Sequence, residues 1–262
     1  MAADTIVVER GGPVATVILD RPDRRNALRP DELIQLERIA RSFAEDETTR
    51  AIIVRGNGSD FSVGADLKVE RWKEATSLVM RRRLAGLGAK LMRSLQEIPQ
   101  PTICALHGVA IGAGACIASA CDFRVAAADS RAGYREVRLG INLMWQALPV
   151  CMRLVGLSRA KRMVMSGALF DAPTLLEWGF LDEVVAPAAL ETRAREWADE
   201  YAALPPVAVQ MIKRSANVLS GAIDQAIMHM DSDQWMLAFQ SEDFREGVNA
   251  FLEKRPPRFK GN

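Results

Sequence analysis

Two glycine-bearing turns, a glutamate and a cysteine carry the residue types that could do chemistry in this chain. The first turn is Phe61-Ser62-Val63-Gly64-Ala65-Asp66-Leu67, which follows the turn cluster Gly56-Asn57-Gly58-Ser59-Asp60. Gly64 lets the backbone come close to a ligand, and Ala65 adds little bulk. The second is Gly108-Val109-Ala110-Ile111-Gly112-Ala113-Gly114-Ala115-Cys116, between a buried strand pattern and a helix of small residues. A helix start offers unpaired N–H groups and the positive end of a dipole. Two backbone N–H groups, one from each turn, could hold a developing oxyanion. The same glycines also fit close packing of a helix on a sheet, and composition alone leaves both readings open. A dinucleotide-binding turn fits less well, because the spacing is not GxGxxG and this is not the first β-α turn. Glu136 has Arg135 and Arg138 for neighbours, which suits an ion-paired surface glutamate as well as a proton-transfer group. Cys116 is either a nucleophile, if the helix start lowers its pKa, or a buried, inert thiol.

The elements that must hold these residues alternate. Ile6–Val8 and Ala15–Leu19 read as a hairpin about Gly11-Gly12-Pro13. A polar loop, Asp20 to Asn26, leads to a helix from Pro30 with Leu33, Leu36, Ile39 and Phe43 at helical spacing. Ala51–Val54, Thr102–Leu106 and Phe123–Ala126 read as strands. A helical pattern runs from Ser77 to Leu95, and another from Gly114 to Cys121. The alternation implies β-α-β crossovers and a largely buried sheet. Beyond residue 156 the pattern is mostly helical, over 158–166, 172–178, 190–202, 206–219, 221–238 and 242–253, broken by the apolar segment Asp182–Val185. The expected class is α/β, with residues 1–195 as the core and 196–262 as a helical C-terminal part.

Composition excludes several roles. With 34 basic and 33 acidic residues in 262 the net charge is +1, so no global field recruits nucleic acid or an anionic membrane. Residues 101–121 carry no charge and match a bilayer in length, but Pro101, His107, Gly108, Gly112 and Gly114 interrupt them. A strand, turn and helix of a soluble core is the better reading. Met1 to Thr5 shows no signal-peptide pattern. Cys104, Cys116, Cys121 and Cys151 form no CxxC pair and read as reduced thiols of a cytoplasmic protein. His107 and His229 have no metal-ligand spacing around them, and His107 reads as structural.

Taken in order, the segments resemble the enoyl-CoA hydratase/isomerase (crotonase) family along nearly the whole chain. Arg21-Pro22 with Asn26-Ala27-Leu28 is similar to its N-terminal signature. Phe61 to Leu67 and His107 to Gly114 are similar to its two oxyanion-hole segments, and Cys121-Asp122 ends the following helix as in the family. Glu136, followed by Leu139-Gly140, stands where the family has a catalytic glutamate. Ser241 to Gly247 and Ala250 to Arg255 resemble its C-terminal helix. The resemblance implies a β-β-α spiral core and an acyl-CoA substrate. Its thioester oxygen would lie between the amides of Ala65 and Ala113, with Glu136 as acid/base. It implies no bound cofactor or metal, a role in fatty acid metabolism, and a homotrimer or dimer of trimers assembled through the helical part.

Two departures bear on the reaction. Where hydratases of the family usually carry a second glutamate, this chain has Cys116. Where they often have a glycine-rich stretch, it has Ile141-Asn142-Leu143-Met144-Trp145-Gln146-Ala147-Leu148-Pro149, which reshapes the acyl pocket or fills core space. One carboxylate is compatible with double-bond isomerisation, so hydration and isomerisation both stand. A noncatalytic acyl-CoA binder and a CoA-thioester hydrolase or decarboxylase are the alternatives. Gly64, Asp66, Leu67, Gly112, Cys116, Trp145 and Ala27 are expected at the substrate. Arg24, Arg25 and Lys68 are candidates for the CoA phosphates. Phe259 and Lys260, on an extended tail after Pro256-Pro257, are candidates for its adenine end.

Overall fold

Strands β1 (Ile6–Gly11) and β2 (Val14–Leu19) pair antiparallel about Gly12, whose φ of +67° suits a glycine. The computed structural model describes residues 5–68 and 77–262. The N-terminal segment without a leader pattern therefore lies almost wholly outside the described residues. Helix α1 (Pro30–Ser42) starts with Pro30 and a capping carboxylate, Glu32, that accepts the Arg29 N–H at 2.7 Å. Strand β3 (Ala51–Gly56) follows, then helices α2 (Leu78–Ala85) and α3 (Leu87–Gln96). The helical pattern of 77–95 is thus divided at Gly86, whose N–H caps the last carbonyls of α2. Only α3 has a continuous buried face, through Leu91, Met92 and Leu95, so packing holds the two halves differently.

The uncharged run of 101–121 folds as strand β4 (Thr102–Leu106), strand β5 (Val109–Ile111) and helix α4 (Ala113–Ala120). No helix among the described residues is long and apolar enough to cross a membrane. Strands β6 (Phe123–Ala127) and β7 (Arg131–Gly133) come next. A 3-10 turn, Glu136–Leu139, then leads to helices α5 (Ala147–Val155) and α6 (Leu157–Ser166). Strand β8 (Phe170–Asp171), helix α7 (Ala172–Glu177) and strand β9 (Glu183–Val185) complete the sheets. Helices α8 (Leu190–Ala202), α9 (Pro206–Ser220), α10 (Asp224–Met228), α11 (Asp231–Phe239) and α12 (Glu242–Glu253) follow. The pattern of 221–238 is two helices, not one.

The main sheet has the order β1-β2-β3-β4-β6-β9, parallel from β2 onward, and both of its faces are covered. Strand alternation splits the core in two. Val17, Leu19, Ile52, Val54, Cys104 and Leu106 belong to the cluster shared with α1, α3 and α4. Val14, Ala51, Ile53, Ile103, Ala105 and Val125 form the other cluster with Leu190, Ala194, Ala198 and Ala202 of α8. Those four residues recur at helical spacing, so the division at 195/196 falls inside a helix that seats on the sheet as a unit. The second sheet, β5-β7-β8, is absent from the sequence reading. Its strands are two or three residues long, too short for alternation to show.

Candidate active site

A polar scaffold ties the N-terminal loop to the first glycine turn. Asn26 is buried, with a left-handed φ of +55° that asparagine tolerates better than most residues. Its side-chain amide donates to the carbonyls of Asn57 and Asp60, both at 2.8 Å, and its Oδ1 accepts the Arg21 N–H at 2.8 Å. Ser62 Oγ donates to the Asn26 carbonyl at 2.7 Å and accepts the Gly64 N–H at 3.1 Å. Buried Asp60 takes a two-pronged contact from Arg25, at 2.7 and 3.0 Å, and the Val109 N–H at 3.0 Å. Burial raises the Asp60 pKa, but Arg25 and Ser59 outweigh it and hold the carboxyl below its usual range. Arg21 bridges Asp66 at 2.8 Å and the Ala27 carbonyl at 3.0 Å.

This scaffold aims two amides into the open. Leu28 N–H bonds the Gly64 carbonyl and Asp66 N–H bonds the Leu28 carbonyl, both at 2.8 Å. In a parallel bridge of that kind the intervening residue, Ala65, points its own N–H the other way. On the second turn, Gly112 N–H is taken by the Gly133 carbonyl at 3.0 Å, and Ala113 is the first residue of α4. Neither the Ala65 nor the Ala113 N–H has an acceptor among the described residues. Gly64 brings the turns together. A Cβ built there would lie 2.5 Å from the Ile111 oxygen and 3.3 Å from the Ala113 nitrogen, and its φ is +90°. Glycine at 64 is therefore required by contact and by backbone angle alike.

Glu136 completes the arrangement. Its turn is closed by Gly140 at φ +73°, whose N–H returns to the Glu136 and Val137 carbonyls. A Cβ built at Gly112 would lie 2.9 Å from Glu136 Oε1, so the carboxyl rests against the residue preceding Ala113. Its Oε2 is buried and has no hydrogen-bond partner among the described residues. Burial pushes its pKa up to about 7. The flanking arginines do not pair with it. Arg138 donates to the Gly167 carbonyl at 2.8 Å, and Arg135 is exposed. The surface ion-pair reading of Glu136 thus gives way to a carboxyl whose Oε2 is buried and unpartnered and whose proton is held by burial.

The other expected residues fall into separate groups. Ala27, Gly64, Asp66 and Gly112 line the scaffold just described, and Leu67 is half-buried beside it. Cys116 is 1 % exposed inside the core cluster. Burial, with Glu136 and Asp231 nearby, raises its thiol pKa well above the ordinary value. The helix start does not produce a thiolate here. Trp145 is buried, its indole filling the space over Gly88 of α3. Arg25 is committed to Asp60, whereas Arg24 and Lys68 are exposed. His107 Nε2 meets the Gly58 carbonyl at 3.1 Å, a structural contact.

The tail departs from the extended course expected of it. Arg258 N–H reaches Glu246 at 2.7 Å, while Lys260 and Gly261 N–H reach Asp243 at 2.7 and 2.8 Å. The carboxylates of α12 thus fold residues 258–261 back on the helix. That helix packs on the Glu136 turn, with Gly247 against Leu139 and Gly140 against the Asp243 backbone. Phe259 and Lys260 are therefore brought to the helix that buttresses the glutamate, and both are exposed.

Sequence reasoning passed over Asn26, Asp60, Ser62 and Asp231 as site residues. The turn cluster at 56–60 was a usable signal for Asp60. Nothing local distinguishes Asp231, whose partners lie some eighty positions away in the chain.

Comparison with known proteins bears on the resemblance. The chain matches the enoyl-CoA hydratase/isomerase family over residues 9–262. It is 33% identical over 257 residues to a short-chain-enoyl-CoA hydratase of Clostridium acetobutylicum, covering 97% of each chain. It is 32% identical to the 1,2-epoxyphenylacetyl-CoA isomerase of Escherichia coli, again over 97% of each. Among solved structures, an enoyl-CoA hydratase from Bacillus anthracis superposes with a TM-score of 0.77 at 31% identity, covering 99% of this chain and all of the other. One from Mycobacterium avium subsp. paratuberculosis superposes at 0.89 with 23% identity, over 98% and 99%, a likeness of fold. The α/β spiral expected from the ordered motifs is the fold observed, and the names agree with an enzyme of the hydratase or isomerase type. By sequence and by fold, the chain belongs to the enoyl-CoA hydratase/isomerase family.

Proposed function

We propose that this protein binds an enoyl-CoA thioester and moves a proton at the acyl chain through an enolate held by the amides of Ala65 and Ala113. The observation that carries this reading is the Glu136 carboxyl against Gly112, its Oε2 buried and unpartnered, next to the open Ala113 N–H. Donors fixed in advance where charge appears only in the transition state stabilise that state selectively. A carboxyl with a pKa near 7 can both take and return a proton close to neutral pH.

Of the two reactions, isomerisation is favoured, because Cys116 supplies a buried neutral thiol where a second carboxylate would handle water. Glu136 would take a proton from C2 of a 3-enoyl-CoA, leaving a dienolate whose oxygen accepts both amides. It would return that proton to C4, shifting the double bond to C2–C3. Hydration would instead add the oxygen of water at C3 and a proton at C2. A noncatalytic binder does not account for an unpaired acid kept at this place. CoA enters as substrate, and no bound cofactor is part of the proposal. Arg24, Lys68, Phe259 and Lys260 are proposed for its nucleotide end. The exposed side chains of Val207, Met211, Ile212, Val218, Leu219 and Ile223 support self-association through α9 and the turn after it.

The test is to incubate the pure protein with 2-enoyl- and 3-enoyl-CoA thioesters of graded chain length and follow the products by mass spectrometry. A shifted double bond at unchanged mass is expected. Gain of one water would assign hydration instead, and no change in any thioester would sink the enzymatic reading.

A further inference from the structure

Glu136 heads a segment whose far end is held in an unusual way. Trp145 and Gln146 both have left-handed backbones, at φ +70° and +59°. Two such residues in succession, neither of them glycine, persist only where their surroundings enforce it. The enforcing group is Asp231, the first residue of α11 and 2 % exposed. Its Oδ2 accepts the Gln146 N–H at 2.7 Å, and the neighbouring Trp145 amide also acts on the carboxyl, lowering its pKa. On the other side, a Cβ built at Gly88 would lie 1.9 Å from the Trp145 indole, so α3 leaves the ring no room to move inward.

Asp231 is an expensive group to bury for packing alone. Among the described residues its Oδ1 has no hydrogen-bond partner, and no cation offsets its burial. Burial raises its pKa to about 6, with the two amides pulling the other way. It lies close enough to Cys116 to act on that thiol, as Glu136 also does. The near end of the segment is set by α12, through Gly140 and Leu139. Both ends of the segment that carries the glutamate are thus gripped by the C-terminal helices.

We propose that Asp231 is a positioning residue for Glu136, holding the Gln146 amide at the left-handed Trp145-Gln146 turn so that the segment beginning at Glu136 keeps its carboxyl beside the Ala65 and Ala113 N–H groups. This rests on the reading of Glu136 as the acid/base. Asp231 touches no reacting atom in this scheme. It acts through the backbone of 136–146.

The experiment compares Asp231→Ala, Asp231→Asn, Glu136→Gln and the Glu136→Gln/Asp231→Ala double variant. Hydrogen exchange over 136–147 is followed by mass spectrometry, and kcat and KM are measured on the thioester that the wild type turns over. Asp231→Ala is expected to speed exchange in that segment about tenfold or more, with 102–106 unchanged, and to lower kcat at least about tenfold while KM stays within about threefold. Asp231→Asn keeps an acceptor oxygen and should restore both to within about threefold. On the Glu136→Gln background, Asp231→Ala should lower the residual rate less than about twofold, since the two act through one group. If Asp231→Ala alone does not fold, combining it with Gln146→Gly removes the left-handed penalty and carries the same expected loss. Unchanged exchange over 136–147, or an equal loss on both backgrounds, overturns the proposal. Wild-type turnover in Glu136→Gln would instead overturn the reading of the reaction, and the exchange data would still decide whether Asp231 holds the segment.

Discussion

In the proposed reaction the proton transfer falls to one carboxyl, that of Glu136, and its burial makes two linked predictions. Glu136→Gln keeps the shape and loses the transferable proton. Turnover should fall on the order of 10²–10⁴-fold with thioester binding kept, and a rate assay beside calorimetric titration of a saturated acyl-CoA checks both. Near-normal turnover would reject Glu136 as the acid/base. The second prediction concerns pH. Proton abstraction needs the carboxylate, so kcat/KM should fall as pH drops through about 7. For stability the sign is opposite. The folded pKa lies above the unfolded value, so the favourable contribution is full below the ordinary carboxylate pKa and is lost as pH rises through about 7. A shift of this size corresponds to roughly 3 kcal/mol. Glu136→Gln has no charge to bury, so it should melt higher than wild type at pH 8, a gain that vanishes near pH 4. Parallel melting curves across that range would contradict the burial of the charge.

Elements place the donors, and here glycine positions can be ranked. Gly64 has a left-handed φ and meets the Ile111 oxygen, whereas at Gly86 an added Cβ meets nothing closer than 3.5 Å. Gly64→Ala should therefore destabilise by about 2–4 kcal/mol and move the Ala113 amide off its aim. Loss of one such donor is expected to lower turnover about 10²-fold or more. Gly86→Ala, at a helix junction with an ordinary backbone, should change neither property appreciably. Thermal melts and turnover of the two variants together make the comparison. Similar behaviour of both would mean that the first turn does not set the donor geometry.

At the scale of the molecule, the C-terminal helices both buttress the site and leave apolar surface bare. Ile212 is 69 % exposed and Leu219 82 %, values that a lone chain in water does not favour. Ile212→Asp/Leu219→Asp should shift sedimentation from an oligomer to the monomer, and a wild type that sediments as a monomer would refute the self-association proposed above. The tail is held through backbone N–H groups to Asp243 and Glu246, which leaves the side chains of Phe259 and Lys260 unoccupied by those bonds. Deleting 258–262 should weaken CoA binding in calorimetric titration while circular dichroism stays unchanged. Equal affinities in folded samples would remove the tail from the nucleotide site.

Features that depend on neighbours along the chain are legible before folding. The apolar, β-rich runs at 15–19 and 51–54, the Pro30 helix start, and the glycine turns at 64 and 112 are local physics, and each stands where its residues predict. The ordered motifs also identified the family. Tertiary structure decided the rest, because the deciding terms act between distant residues. Helix was divided at Gly86 by what α3 buries and α2 does not. The three-stranded sheet exists only because β5, β7 and β8 meet. The sequence leaves Glu136 between two arginines. The fold turns those arginines away and buries the carboxyl against Gly112, and that burial is what raises its pKa. Cys116 beside a helix start reads as a nucleophile or a core thiol, and burial alone chooses the second. Asp231 gives no sign in its own stretch, since its meaning lies in the Gln146 amide eighty-five residues earlier, reached only when the helices fold back over the sheet.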